Sequence, residues 1–149
     1  PSGYTKKEYR GAILTNASSN IRQFISDKAF TVWKGGGILD YDSSEDSTAG
    51  VLRSFSVPSQ LKVQWYGAVS ATSDRIVYIS SPDQDNVVAD NATNYTRNLV
   101  ESNGTDEIQG GFNNIPIIAV NGQLRVRKDS NAATIRIATH GWVDNNIKF

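Results

Sequence analysis

Ile115-Pro116-Ile117-Ile118-Ala119-Val120-Asn121-Gly122-Gln123-Leu124-Arg125-Val126-Arg127-Lys128 is the stretch on which the fold turns. Two strand-forming runs are parted by Asn-Gly, the pair that tolerates the two positive φ angles of a type I′ hairpin. The expected register sets Val120 against Gln123, Ala119 against Leu124, Ile118 against Arg125 and Ile117 against Val126. One face then carries Ile117, Ala119, Leu124 and Val126, all apolar. A four-residue turn, Asp129-Ser130-Asn131-Ala132, is expected to return the chain, pairing Val126 with Ile135 and Leu124 with Ile137. The prediction is a three-stranded antiparallel meander with one oily side. Pro116, which cannot donate to a ladder, puts the first strand near an edge or a bulge.

The same period of two runs backward to Ala29. Strands are expected at 50–57, 61–71 and 75–80, with Pro58 stopping the first. In the second, Leu61, Val63 and Trp65 share one face while Lys62, Gln64 and Tyr66 take the other. Phe30, Val32 and Ile38 flank the flexible break Gly35-Gly36-Gly37. Residues 81–114 are the least regular, with turn clusters at 81–86 and 101–106 and a strand expected at 94–100 between them. Hairpins without a βαβ rhythm predict an all-β fold, an antiparallel β-sandwich or jelly roll spanning 29–149.

Residues 1–28 read differently, as an N-terminal arm or short helical segment. Thr5 and Glu8 have capping-box spacing. Tyr9, Ile13 and Leu14 form a helical stripe that Gly11 weakens, the alternative being a strand over 11–15. Ile21, Phe24 and Ile25 also fall at helical spacing, behind Ser19 as a cap. An arm crossing onto a neighbouring subunit has this appearance too. Pro1 fits loss of an initiator Met, and the first residues lack the apolar stretch of a secretory signal.

The chain has 149 residues, one domain by length, and is 38% apolar. No run approaches the roughly 18 apolar residues of a membrane helix. Cysteine is absent, so there are no disulfides, thiolate nucleophiles or Cys-ligated metals. Lys+Arg and Asp+Glu number 15 each, which leaves no global field to gather nucleic acid or anionic membrane. Nucleic acid and membrane are therefore not expected partners.

The expected register places Arg125 opposite Arg136 with Arg127 diagonally adjacent, and like charges so placed repel. Either the guanidiniums splay into water or pair with carboxylates of the same chain, or they meet an anionic partner such as another subunit. Ile118 and Val120 share that face. Branched aliphatics among arginines suit a protein interface, so Arg125, Arg127, Arg136, Ile118 and Val120 are the candidate contact residues.

Chemistry finds little support. The acidic run Asp40-Tyr41-Asp42-Ser43-Ser44-Glu45-Asp46 lacks EF-hand spacing, and a solvated loop explains it better than calcium does. Asp83 and Asp85 fit a Pro-Asp turn. His140 is the one histidine; without Cys or a second His it builds no typical zinc site, and it is expected at a strand end. There is no Gly-x-Ser-x-Gly elbow, Walker loop or dinucleotide fingerprint. No catalytic, cofactor or metal site is expected, and the chain reads as a non-enzyme. Trp33, Trp65 and Trp142 with six tyrosines invite a sugar-stacking platform, although core packing is the commoner fate. Sequons at Asn16, Asn91, Asn94 and Asn103 are near chance in so Asn- and Ser-rich a chain.

The lack of Cys, the Ser/Thr/Asn-rich loops (41–48 and 90–96), the short alternating strands and the N-terminal arm together resemble small virion proteins. Tailed-phage capsid decoration (cement) proteins and jelly-roll capsid subunits are the families meant. The arm carries only Lys6, Lys7 and Arg10, too few cations for packaging RNA. The resemblance therefore implies an accessory outer-shell protein located in the virion. It would be a homo-oligomer, a trimer favoured, that cross-bridges capsid or other virion proteins. The alternative is a carbohydrate- or receptor-binding β-sandwich, a lectin or fibre-tip module, using exposed Trp/Tyr and the 81–114 loops.

Overall fold

The computed structural model describes residues 14–15, 18, 21–27, 29–44, 48–71, 75–86, 99–102, 117–129 and 134–144. Ten strands form one antiparallel sheet, and no helix occurs among the described residues. The strands are β1 (Phe24–Asp27), β2 (Phe30–Trp33), β3 (Ile38–Ser43), β4 (Val51–Ser54), β5 (Lys62–Ala71), β6 (Arg75–Ser80), β7 (Leu99–Ser102), β8 (Ile118–Val120), β9 (Gln123–Lys128) and β10 (Ile135–Val143).

The Asn-Gly turn forms as its residues require. Asn121 has φ 52° and Gly122 φ 72°, and Val120 pairs with Gln123. Beyond that one pair the expected meander fails. β8 leaves β9 and pairs with β5, Lys62 to Val120 and Gln64 to Ile118. β4 takes one edge of β9, Val51 opposite Val126 and Ser54 opposite Gln123. β6 takes the other, Val77 opposite Lys128 and Ser80 opposite Arg125. β10 is not paired with β9; it pairs along its length with β5. Alternation decides which face a side chain takes but not which strand lies beside it, so the faces hold and the neighbours do not. Ile117, Ala119, Leu124, Val126, Ile135 and Ile137 are all buried. The turn at 129–132 lies mostly outside the described residues.

The other edge of β10 is shared. Val32 pairs with Gly141 and Ile38 with Thr139, so β2 and β3 run in one direction as a single interrupted strand. The intervening residues, including Gly35 and Gly36 at φ 100° and 102°, loop out opposite His140. Gly37 has no room for more: a Cβ there would lie 2.5 Å from His140 Cδ2. His140, expected at a strand end, thus sits inside β10 at this irregularity. The acidic run expected as a loop is mostly strand β3. Asp40 is bulged out of register between Leu39 and Tyr41, whose partners Ala138 and Ile137 are adjacent.

Residues expected to be helical are also strand. Phe24 pairs with Trp33 and Asp27 with Phe30, because an edge ladder beside β2 satisfies more backbone groups than one helical turn with a weak cap. Thr15 bridges Ile21. The capping box and most of the 11–15 strand lie outside the described residues, as do the four sequons and residues 94–98. The expected strands at 50–57, 61–71, 75–80 and 123–128 are found as β4, β5, β6 and β9.

One buried cluster draws on both parts of the sheet. β5 supplies Val63, Trp65, Val69 and Ala71 and β10 supplies Ile135, Ile137 and Trp142. They meet Leu124 and Val126 of β9 and Val77 and Ile79 of β6. Each such aliphatic contributes roughly 1.5–3 kcal/mol by leaving water. Polar ties cross the same space. Arg53 of β4 stacks over the Tyr41 ring of β3 at 5.2 Å, and Ser56 Oγ donates to Asp40 at 2.6 Å. Thr139, fully buried, accepts from Trp65 Nε1 at 2.8 Å and donates to Asp40. A β-bulge and a threonine thus join a partly buried carboxylate to a buried indole through one hydroxyl.

Candidate interaction surface

The arginine face dissolves into two separate arrangements. Arg125 lies opposite Leu52 and Ser80, not Arg136. Its guanidinium donates to the carbonyls of Ser81, Pro82 and Gln84. Arg127 donates to the Asn86 carbonyl at 3.3 Å and to Asn86 Oδ1 at 3.0 Å. Both arginines therefore strut the turn at 81–86, which is also closed by Gln84 N to Ser81 O at 3.1 Å. The turn is further tied by the ion pair of Lys62 with Asp83 and by Asn86 Nδ2 donating to Ala49 O at 2.5 Å. Arg136 sits opposite Asp42 and Ser70 and pairs with Asp42 at 3.4 Å in solvent. The cations are occupied within the chain, on carbonyls more than on carboxylates.

The three tryptophans are core residues, 5%, 4% and 1% exposed for Trp33, Trp65 and Trp142. Trp33 packs against Trp142 at 5.3 Å. Core packing, the commoner fate weighed for them, is what all three show, and none of them offers a sugar platform on the described surface. Among the described residues no three His, Asp or Glu side chains gather as metal ligands, and no helix is long and apolar enough to cross a membrane.

What the surface does carry is an apolar face on the outer side of β1, β2, β10 and β5. Register aligns Ile25, Val32, Gly141 and Tyr66 in one row. The next row runs Asp27, Phe30, Val143, Gln64, Ile118, polar at its first and fourth places, and a third runs Leu39, Ala138, Ala68. Ile25, Leu39 and Tyr66 are 58%, 55% and 52% exposed. The Tyr66 ring meets Phe30 edge-on at 5.8 Å and His140 at 6.1 Å. Those contacts fix Tyr66 in place and leave half of it in water. Taken at roughly 100 Å² for each half-exposed large side chain, these residues make a patch of a few hundred Å², the size at which a surface patch tends to be functional.

No family model, curated protein or solved structure matches the chain. The surface must be read from its own residues. Of the expected contact residues, Ile118 joins this apolar face, half-buried beside Gln64. Val120 lies next to Lys62 at its rim. The sequence had already set Tyr66 opposite Trp65; assigning Ile25 to a helix hid the row it completes.

Proposed function

We propose that the protein is a virion structural component, an accessory decoration or cement protein that stabilises a shell by docking rather than by chemistry. The strands would close as a β-sandwich of jelly-roll type, with the shared cluster of Val69, Ile137, Leu124 and Ile79 as its filling. One observation carries the docking part of this reading: the exposed apolar rows around Ile25, Leu39 and Tyr66, rigid because they sit on strands. The virion part rests on the resemblance in composition and loop style. Stabilisation would follow mass action, growing with bound protein.

The test is co-sedimentation. Purified chain is mixed with particles from its own source and banded on a density gradient. Wild type is expected in the particle band and the double variant Leu39→Glu, Tyr66→Glu in the light fractions, with the far-ultraviolet spectrum of the variant matching that of wild type. Wild type left in the light fractions would sink the reading. Half-exposed Tyr66 between Phe30 and His140 favours one second reading, a carbohydrate- or receptor-binding module. A glycan array hit that Tyr66→Ala abolishes, without particle binding, would decide for it.

A further inference from the structure

Asn121-Gly122 carries a reactivity besides its turn. An asparagine followed by glycine loses its side-chain amide without an enzyme. The next backbone nitrogen attacks the side-chain carbonyl carbon, and the glycine has no Cβ to hinder it. A C–N bond closes a five-membered succinimide, the C–N bond to the side-chain nitrogen breaks, and ammonia leaves with the proton of the glycine N–H. Water then opens the ring at the side-chain carbon to give aspartate, or at the main-chain carbon to give isoaspartate. The chain supplies every reactant except that water, to which Asn121 is exposed.

The fold holds the reacting atoms apart. Ring closure needs the Gly122 nitrogen eclipsed with Asn121 Cβ about the Cα–C bond. The first residue of a type I′ turn has ψ about +30°, roughly 150° of rotation from that alignment, so nitrogen and Cβ stand nearly anti. Asn121 at φ 52° and Gly122 at φ 72° occupy such a turn. Rotating Asn121 ψ would carry Gly122 along, and Gly122 is held. It is buried, and its carbonyl accepts from Phe55 N at 2.8 Å. A Cβ added to it would meet Ser59 Cα at 3.3 Å. The next residue, Gln123, is paired with both Val120 and Ser54.

We infer that Asn121 is a latent deamidation site, locked while β8, β9 and β4 stay paired and released when they part. Opening gives up the Phe55–Gly122 bond and the pairs of Gln123. Two or three net hydrogen bonds, at roughly fivefold to tenfold each, slow the native reaction about a hundredfold relative to the unfolded chain. The two products then diverge. Aspartate suits the turn, since Asp-Gly is among the pairs that type I′ accepts. Isoaspartate routes the backbone through Cβ and adds one atom between Val120 and Gly122. Val120 cannot then stay opposite Gln123 while β9 keeps its register with β4 and β6. Leu124 and Val126 of the core depend on that register. Each spell of unfolding thus turns a fraction of chains into a form that does not refold, whatever surface the chain docks with.

The full chain is held at mildly alkaline pH in native buffer and in concentrated guanidinium chloride, and its peptides are weighed over time. Asn103-Gly104, the other Asn-Gly pair of the sequence, is the reference in denaturant, where both pairs should convert at similar rates. In native buffer Asn121 is expected to convert about a hundredfold more slowly than in denaturant. Samples diluted out of denaturant should lose refolding yield in step with isoaspartate at 121. Asn121→Gly has no side chain to close the ring and keeps an accepted turn pair, so it should retain more of that yield. Native and denatured rates at Asn121 within about threefold of each other would overturn the lock, a comparison that needs no variant. Isoaspartate-121 chains that regain the wild-type melting curve, or equal yield losses in wild type and Asn121→Gly, would overturn the block on refolding.

Discussion

Replacing Thr139 with valine keeps the outline of the side chain and deletes one hydroxyl. That hydroxyl accepts from Trp65 Nε1 at 2.8 Å and donates to Asp40, at a site with no solvent exposure. No cavity opens, so the cost is that of the hydrogen bonds. Removing the acceptor a buried indole uses costs about 1–3 kcal/mol. Asp40 is only partly buried and keeps Ser56; water can replace part of its loss, adding about 1 kcal/mol or less. The expected destabilisation is about 1–4 kcal/mol, a large share of the roughly 5–15 kcal/mol of a typical domain. In a chain this size it lowers Tm by about 2–16 °C. Urea unfolding followed by tryptophan fluorescence measures it, with Thr139→Ser as the control. Serine keeps the hydroxyl and loses a methyl, for about 1 kcal/mol. A valine variant within about 0.5 kcal/mol of wild type, or a serine variant worse than valine, would refute the reasoning that this core depends on its polar chain.

Gly141→Ala should fail to fold at 37 °C, because its Cβ would lie 2.0 Å from the Thr31 carbonyl oxygen; a native-like melting curve would count against the close β2–β10 approach. Arg125→Ala removes three bonds to the 81–86 carbonyls. Amide exchange should rise there at least tenfold, a loss of about 1.4 kcal/mol of local protection, with protection elsewhere little changed. Arg136→Ala breaks only the half-exposed pair with Asp42 and should shift unfolding free energy by less than about 1 kcal/mol. Gly122→Ala meets φ 72° and Ser59 Cα 3.3 Å away, so thermal melts should show a loss of about 1 kcal/mol or more.

Burial was legible in the sequence; adjacency was not. The alternation that puts Leu124 and Val126 inside and Arg125 outside depends only on the period of the pleat. Asn121-Gly122 could be read as a turn because few residues accept those angles. Nothing local, however, told β8 to leave β9 for β5, or set Arg136 beside Asp42 instead of Arg125. Those choices depend on shape complementarity between strands dozens of residues apart. Ile25 shows the same limit. Its spacing from Ile21 and Phe24 suits a helix, yet a four-residue window cannot distinguish one helical turn from an edge strand until β2 is beside it. The outer apolar face was half visible, since Tyr66 was already set opposite Trp65, but its row is assembled from four strands and emerges only with their register.

β10 pairs with β2, β3 and β5 at once, and ribosomes make it after all three. Until its last residues emerge from the exit tunnel, Trp65 and Tyr41 lack the surface they pack on, and the nascent chain must wait with its oily strands bare. Such long-range closure belongs to the slow end of folding rates, milliseconds to seconds. Premature release or a ribosomal stall just short of Gly141 would therefore yield a chain that possesses nearly every strand and no finished core.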